Sequence, residues 1–301
     1  MEKFKSGFVS IIGKTNVGKS TMLNSIIGTQ VAITTSKPQT TRTAIKGIVN
    51  RENAQIIFID TPGIHKTKNK FGEAMTNIAY EALGEVDVIL FLIEATYNQI
   101  GTADKIILEK LKEKNKKVIL VINKIDLAPK ENLLKLIELY RKEYGFKAIV
   151  PISALKNREL ETLLDEIQEL LPEGPAYYDV EEYTDQTERQ IVEEVVREKC
   201  LKLLNDEIPH GIYVKVEKMK LRKTTKGEDI YDVDIMIYCN KNSHKGIIIG
   251  KDGNMLKRIA SYSRQKIEKM LDIKLNMNIW VKVQEDWQNK EKIIKDVNGQ
   301  S

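Results

Sequence analysis

The stretch that decides the fold reads Gly13-Lys14-Thr15-Asn16-Val17-Gly18-Lys19-Ser20. It fits the pattern G-x-x-x-x-G-K-[S/T], whose glycines let backbone N–H groups surround a phosphate chain. Residues 8–12 form an apolar run that predicts a strand before this loop, and residues 20–27 predict a helix after it, with Thr21 in the first turn. The positive end of that helix favours an anion. The pattern predicts a nucleoside triphosphate site in which Lys19 reaches the β- and γ-phosphates and Ser20 binds Mg²⁺.

The composition is that of an ordinary globular protein. The 301 residues, 42% hydrophobic and 30% charged, suffice for about two domains. The longest apolar run, Val88–Ile93, is far shorter than the ~18 residues of a membrane span, and the N-terminus lacks the apolar core of an export signal. Cys200 and Cys239 lie in apolar patterns and are predicted to be buried free thiols, which fits a reducing cytoplasm.

Positive charge is concentrated in the C-terminal third of the chain. The whole chain has a net charge of +5, whereas residues 211–301 hold 19 Lys+Arg and 12 Asp+Glu, a net of +7. This asymmetry predicts a polyanionic partner for that third. The slightly basic whole also permits peripheral contact at the inner face of the cell membrane, and we expect a monomer.

The first 170 residues alternate between strand and helix patterns. Short apolar runs at 56–59, 88–93, 118–122 and 148–152 have the character of parallel strands covered on both faces. Helical patterns lie between them, so we predict an α/β P-loop NTPase domain with a doubly wound sheet over residues 1–172. The stretch Pro172-Glu173-Gly174-Pro175 ends this region, and a linker is predicted over residues 173–187.

The rhythm then changes to the order α-β-β-α-α-β over residues 188–284, which predicts a second, α+β domain. Within it, Gly250-Lys251-Asp252-Gly253 joins two predicted helices after an apolar run. That arrangement is typical of a type II K-homology (KH) domain, whose G-x-x-G loop clamps the backbone of about four nucleotides. The predicted RNA-binding residues are the loop and the nearby cations Lys245, Lys257 and Arg258. A polar tail is predicted over residues 285–301.

Two segments in the first domain predict contacts with the γ-phosphate and Mg²⁺. Asp60-Thr61-Pro62-Gly63 follows the strand at 56–59; Asp60 would hold Mg²⁺ through water and the Gly63 N–H would meet the γ-phosphate. Upstream, a hydroxyl of Lys37-Pro38-Gln39-Thr40-Thr41-Arg42 would complete the Mg²⁺ shell. We favour Thr41 over Thr40, although the pattern alone leaves both open.

Two further segments predict that the base is guanine. Asn123-Lys124-Ile125-Asp126 follows the strand at 118–122. The Asp126 carboxylate can accept from N1–H and the 2-amino group of guanine, whereas adenine would leave it unpaired, a penalty that can give ~10⁴-fold discrimination. Asn123 would tie this loop to the P-loop, and the Lys124 stem would cover the base. Ser153-Ala154-Leu155 follows the last strand, and its backbone can donate to guanine O6.

Together these segments resemble the translation-factor class of GTPases, and within it the TrmE-Era-EngA-like group and the Era family of bacterial ribosome-assembly GTPases. The resemblance rests on Gln39-Thr40-Thr41-Arg42, on Asp60-Thr61-Pro62-Gly63-Ile64-His65 and on the KH region, so it covers nearly the whole chain. Lys14-Thr15 departs from it, since such loops often read Arg-Pro there. The resemblance implies a cytoplasmic GTPase with GTP or GDP and Mg²⁺ as ligands. It also implies binding to 16S ribosomal RNA of the small subunit, near its 3′ end, in 30S assembly.

The resemblance also bears on hydrolysis. Many GTPases place a water-orienting glutamine where this chain has Ile64, so we expect slow hydrolysis by the isolated protein. In similar GTPases an asparagine at the position of Asn16 helps to bind K⁺, which makes Asn16 a candidate K⁺ ligand beside the catalytic Lys19, Thr41 and Gly63. The alternative is that Asn16 only shapes the loop.

Two other functions fit part of the sequence. One is a nucleic-acid GTPase of the tRNA-modification type, against which the KH region and the absence of a helical insert argue. The other is a constitutive RNA-binding protein in which GTP is only structural. A comparison of RNA affinity with a GTP analogue and with GDP separates the latter from a GTP-controlled protein.

Overall fold

The computed structural model describes residues 3–297, except 36, 38, 39, 43, 64–68, 85, 115, 206 and 207. The chain divides into two compact units. The first comprises Met1–Lys68 and Gly72–Asp185, and the second comprises Asn69–Phe71 and Gln186–Ser301. Within the described residues, no helix is both long and apolar enough to span a bilayer.

The first unit is built on a six-stranded sheet with the order β2-β3-β1-β4-β5-β6. Only β2 is antiparallel to its neighbour, so the predicted doubly wound parallel sheet is confirmed. Its strands are β1 (Lys5–Gly13), β2 (Ile45–Arg51), β3 (Ala54–Asp60), β4 (Val88–Glu94), β5 (Lys117–Asn123) and β6 (Ala148–Pro151). The helices are α1 (Lys19–Ile27), α2 (Lys70–Glu81), α3 (Thr102–Lys114), α4 (Lys130–Glu143) and α5 (Leu160–Leu170).

Helices cover both faces of this sheet, which explains why the central strand β4 is apolar along almost its whole length. On one face α1 and α5 pack on the sheet through residues such as Leu23 and Leu163. On the other face α3 and α4 do so through residues such as Leu111 and Tyr140. The carboxyl ends of the parallel strands therefore meet at one edge of the sheet, where the loops carrying the sequence motifs begin.

Residues 173–185 differ from the linker that the sequence predicts over 173–187. They lie along the first unit, where the Ile48 N–H donates to the Tyr183 carbonyl at 3.0 Å. The Gln55 side-chain oxygen accepts from the N–H groups of Tyr177 and Tyr178 at 2.7 and 3.0 Å. This segment is not a free linker because it pairs with the open edge of β2, an edge strand that the sequence pattern does not reveal.

The second unit has the predicted order α-β-β-α-α-β, and the KH-type fold is confirmed. Its elements are α6 (Glu188–Leu203), β7 (Ile212–Lys223), β8 (Asp229–Cys239), α7 (Asn242–Ile249), α8 (Asn254–Leu271) and β9 (Leu275–Val283), followed by α9 (Glu291–Val297). The sheet has the order β7-β8-β9, with β8 antiparallel to β7 and parallel to β9. A capping box of Thr187 and Gln190 begins α6.

The region predicted as a polar tail contributes one large residue to the core of this unit. Trp287 is fully buried, and its indole N–H donates to the Gly211 carbonyl at 2.9 Å. Its ring packs against Tyr213 with 4.9 Å between centroids. Cys200 and Cys239 are buried free thiols, as predicted.

Candidate functional site

The motif loops of the first unit surround a cavity of about 370 Å³ at the carboxyl edge of the sheet. Its lining includes the P-loop residues Thr15, Asn16, Gly18, Lys19, Ser20 and Thr21, together with Thr40, Thr41, Gly63 and Lys124. Three residues that the sequence analysis did not single out, Ile33, Thr34 and Thr35, also line it. The volume suits a small-molecule ligand.

The P-loop backbone takes a shape that its sequence permits. Gly18 has φ +99°, and a Cβ there would lie 2.2 Å from the Asn123 amide nitrogen, so only glycine fits. Asn16 also has a positive φ, 66°, a conformation that asparagine tolerates better than most residues. Val17 between them is fully buried and anchors the loop in the core.

Lys19 lies inside the loop rather than in solvent. Its ammonium donates to the carbonyls of Gly13 and Lys14 at 3.2 and 2.9 Å. Burial lowers the pKa of Lys19 to about 8, and the nearby Asp60 carboxylate opposes this shift. A charge held in such a poorly hydrated position is well placed to meet a phosphate group.

Ser20, Thr41 and Asp60 bring their oxygens together. The Ser20 hydroxyl donates to Asp60 Oδ2 at 2.7 Å, the Thr41 hydroxyl to the same oxygen at 3.3 Å, and the two hydroxyls lie 3.0 Å apart. Asp60 Oδ1 is buried and has no hydrogen-bond partner among the described residues. Burial therefore raises the pKa of Asp60, although Lys19 and the two hydroxyls lower it. An all-oxygen set with an unpaired buried carboxylate oxygen fits a hard cation such as Mg²⁺.

Thr40 is engaged elsewhere. Its hydroxyl donates to the Lys37 carbonyl at 2.8 Å and lies 3.1 Å from the Thr35 hydroxyl. Of the two threonines that the sequence left open, Thr41 is thus the one beside Ser20 and Asp60. Among the residues that the structure describes, no three His, Cys, Asp or Glu side chains form a metal site of another type.

The Asp60–Gly63 segment is fixed against the P-loop. The Thr61 hydroxyl donates to the Ile11 carbonyl at 2.8 Å, and Pro62 is buried. A Cβ on Gly63 would lie 3.0 Å from the backbone nitrogen of Thr15, so a larger residue would have to push these two segments apart. Ile64 lies outside the described residues.

Asn123 links the P-loop to the two loops predicted to recognise guanine. Its amide group donates to the Val17 carbonyl at 2.9 Å, and its oxygen accepts from the N–H groups of Lys124 and Ala154 at 2.8 and 3.0 Å. Asn123 is almost completely buried, so each of these bonds is shielded from water. The P-loop and the two base-recognition loops are therefore held as one assembly.

The remaining base-recognition residues lie beside this assembly. The Ser153 hydroxyl donates to Asp126 Oδ1 at 2.6 Å, and this bond lowers the pKa of Asp126, which keeps the carboxylate ionised. The Lys124 ammonium pairs with Glu94 at 2.6 Å, which fixes its stem. Leu155 is exposed. The sequence analysis missed Glu94, which carries no motif signal beyond its place at the end of β4.

The second unit presents the G-x-x-G loop between α7 and α8. Gly250, Asp252 and Gly253 have positive φ angles, and Lys251 and Asp252 are exposed. A Cβ on Gly250 would lie 2.7 Å from Met255 Cβ, which explains the glycine at this position. The predicted cations are Lys245, half-buried, and Lys257 and Arg258, both exposed. None of the four cations forms a salt bridge with another residue that the structure describes.

The fold and the site together define a guanine-nucleotide-binding P-loop GTPase joined to a KH domain. Residues 8–124 match the protein family described as 50S ribosome-binding GTPase, and residues 207–288 match the KH domain family.

Full-length comparisons narrow this class further. The chain is 49% identical over 292 residues to GTPase Era of Ruminiclostridium cellulolyticum, covering 97% of this chain and 96% of that protein. It is 50% identical over 294 residues to GTPase Era of Clostridioides difficile, covering 97% and 98%. This chain belongs to the GTPase Era family, and it is a GTP phosphohydrolase.

Solved structures agree with this assignment. An Aquifex aeolicus Era variant bound to GDP·AlF4⁻ has a TM-score of 0.93 and 39% identity, covering 99% of this chain and all of that one. Era in complex with MgGDPNP and nucleotides 1506–1542 of 16S ribosomal RNA has a TM-score of 0.93 and 40% identity, covering 99% of each chain.

Proposed function

We propose that this chain couples its nucleotide state to the binding of 16S ribosomal RNA and acts in assembly of the 30S subunit. The observation that carries the proposal is the G-x-x-G loop of the second unit, on the same chain as a guanine-nucleotide site. The cations at 245, 251, 257 and 258 beside this loop form no ion pair with any residue that the structure describes. The 16S RNA complex of the Era structure with 40% identity supports this choice of RNA.

In the proposed reaction the P-loop orients GTP and Lys19 meets the β- and γ-phosphates. Ser20, Thr41 and Asp60 hold Mg²⁺, which neutralises developing phosphate charge when bound. The Gly63 N–H contacts the γ-phosphate, and the Asp126 carboxylate selects guanine, while Asn123 ties its loop to the P-loop and to Ala154. Since isoleucine at position 64 cannot orient water, we expect slow turnover of the isolated protein.

On the RNA side, the glycines let a backbone phosphate approach the loop, while Lys251 and its neighbours supply charge. Much of the affinity should therefore fall as salt rises. We place the protein in the cytoplasm with the small subunit as part of the same proposal. Peripheral membrane contact and the monomeric state have no support beyond the sequence and stay predictions.

Affinity for a synthetic RNA equivalent to nucleotides 1506–1542 of 16S RNA tests the proposal, measured with a non-hydrolysable GTP analogue and with GDP. We expect two different affinities, in either order, because the order of coupling does not follow from the fold. Equal affinities would favour an RNA-binding protein with structural GTP. Absence of binding in both states would contradict the choice of RNA.

A further inference from the structure

Helices cover one face of the KH-type sheet, and the other face is uncovered except at the end near Tyr213, where Trp287 packs. Side chains alternate along each strand, so Val233, Ile235 and Ile237 of β8 join the core, while the residues between them point the other way. We call the uncovered side the outer sheet face. Its centre consists of Lys215 on β7, Met236 and Tyr238 on β8, and Trp280 and Lys282 on β9.

Trp280 is the unusual residue of this face. It is 49% exposed, and its indole N–H has no hydrogen-bond partner within the described part of the chain. The other tryptophan, Trp287, is buried and hydrogen-bonded. The neighbouring tyrosines are also engaged, because Tyr213 and Tyr238 stack on each other with centroids 4.4 Å apart. Trp280 thus offers a free aromatic surface where nearby aromatic rings are already paired.

Asp232 and Asp234 on the outer sheet face accept hydrogen bonds from neighbouring side chains, and Asp232 also forms an ion pair with Arg222. Asp232 accepts from Arg222 at 2.7 Å and from Asn276 at 2.8 Å. Asp234 accepts from Asn278 at 3.0 Å.

One cation next to Trp280 is left without such a partner. Lys282 follows Trp280 on the same face, is exposed, and forms no ion pair with any described residue. The chemistry that remains available is one exposed indole beside one unpaired ammonium, which complements a nucleic acid base and its phosphate.

Position connects this patch with the groove between α8 and the edge strand β9, where we expect the RNA bases beside the G-x-x-G loop to lie. β9 is the edge strand of the sheet, and both α7 and α8 contact it on the helix side. Ile279 and Val281 face those helices, and Trp280 between them faces outward. An RNA strand that leaves the groove beside the G-x-x-G loop therefore has to cross only this one strand to reach Trp280.

We propose that the outer sheet face is a second RNA contact, where a base outside the four nucleotides held by the G-x-x-G loop stacks on Trp280 and Lys282 meets an adjacent phosphate. This inference rests on the proposed function. RNA is favoured over a protein partner because the residues that flank Trp280 on the outer face of β9, Asn278 and Lys282, are polar and basic, with Met236 as its apolar neighbour on β8.

The test uses the full protein chain and compares its affinity for RNAs of different lengths. Wild type and Trp280→Ala are titrated with the equivalent of nucleotides 1506–1542 and with fragments shortened stepwise from each end, down to the shortest that binds. We expect Trp280→Ala to weaken binding of the full segment about tenfold and to leave the shortest fragment unaffected. Trp280→Tyr should restore most of the loss, and Tyr183→Ala, which removes an exposed aromatic side chain of the first unit, should change neither affinity.

Fluorescence provides a second measurement that does not need a variant. Because Trp287 is buried, quenching of tryptophan emission by the full segment, but not by the shortest fragment, should report stacking on Trp280. Equal effects of Trp280→Ala on all fragments, or no effect on any, would overturn the inference. Failure of wild type to bind any of these RNAs would overturn the proposed function together with the inference.

Discussion

The Lys14 ammonium lies 2.5 Å from the Asp104 carboxylate, which is almost completely buried. The same ammonium lies 4.6 Å from the centre of the Tyr97 ring. Lys14 is one of the unspecified positions of the P-loop pattern, and its carbonyl accepts from Lys19. The side chain of Lys14 therefore ties the loop to α3, while its backbone positions the phosphate-binding lysine.

This ion pair predicts unequal effects of removing its two partners. Lys14→Met leaves a buried carboxylate without its counter-charge and should destabilise the protein by about 3 kcal/mol. Asp104→Asn should cost only about 1 kcal/mol, because Lys14 is 22% exposed and its ammonium can reach water. Denaturant unfolding measures both, with Glu113→Gln on the exposed face of α3 as the control. Equal losses would contradict this account of the pair.

The proposed K⁺ ligand can be tested without distorting the loop. Because Asn16 has φ 66°, Asn16→Gly keeps the backbone conformation and removes only the amide. We expect wild-type GTP turnover to fall several-fold when Na⁺ replaces K⁺, and turnover of Asn16→Gly to be equally low in both salts. Phosphate release assays at constant ionic strength measure this. An equal wild-type turnover rate in K⁺ and Na⁺ would contradict the K⁺ site and indicate that Asn16 only shapes the loop.

The two glycines of the G-x-x-G loop should behave differently on substitution. Gly253 has φ +74° and open space where a Cβ would lie, so Gly253→Asn should fold, since asparagine tolerates this conformation. Its side chain should nevertheless hold the RNA phosphate away and weaken binding at least tenfold. Gly250→Ala should instead lower the melting temperature, because its Cβ would meet Met255. Gly246→Ala, in open space on α7, is the control; RNA binding by Gly253→Asn at wild-type affinity would contradict the proposed clamp.

Glu193 on α6 predicts a pH dependence of stability. Burial raises the pKa of Glu193 from 4.5 to about 7, with Glu194 adding to the shift, while its carboxylate accepts from the Val216 N–H at 2.7 Å. The folded state thus binds more protons than the unfolded state between pH 4.5 and 7, and stability falls as pH rises through that window. The loss amounts to up to about 3 kcal/mol.

Glu193→Gln should abolish this loss, because glutamine keeps an oxygen acceptor and does not ionise. Its stability relative to wild type should therefore rise from pH 5 to pH 8, whereas the exposed Glu188→Gln should show a constant difference. A Glu193→Gln difference that does not change with pH would show that the carboxyl group ionises normally in the folded protein.

The meeting of four motif segments could be predicted because the P-loop and the segments that begin at Asp60, Asn123 and Ser153 each follow a strand, and parallel strands deliver their carboxyl ends to one edge. Asn123 and Asp126 thereby meet the P-loop from far along the chain. The Lys14–Asp104 pair could not be predicted, since neither residue is specified by a motif and α3 has a weak apolar pattern. The edge strand β2 and the segment paired with it could not be predicted either, because pairing between distant segments is not encoded in local periodicity. Trp287 is a single apolar residue in a polar tail, and only the packed unit reveals its role.

The central claim is that guanine-nucleotide state controls RNA binding, and Asp126 allows its most direct test. Asp126→Asn should exchange the preference for guanine for one for xanthine, because the amide can donate to the 2-oxo group that xanthine has in place of the guanine amino group. The measurement is the RNA affinity of this variant with non-hydrolysable GTP and XTP analogues and with GDP and XDP. We predict that its RNA affinity differs between the XTP analogue and XDP and is the same with the two guanine nucleotides. For wild type, we predict that RNA affinity differs between the GTP analogue and GDP and is the same with the two xanthine nucleotides. An RNA affinity that is the same in all four nucleotide states, in both proteins, would contradict the account.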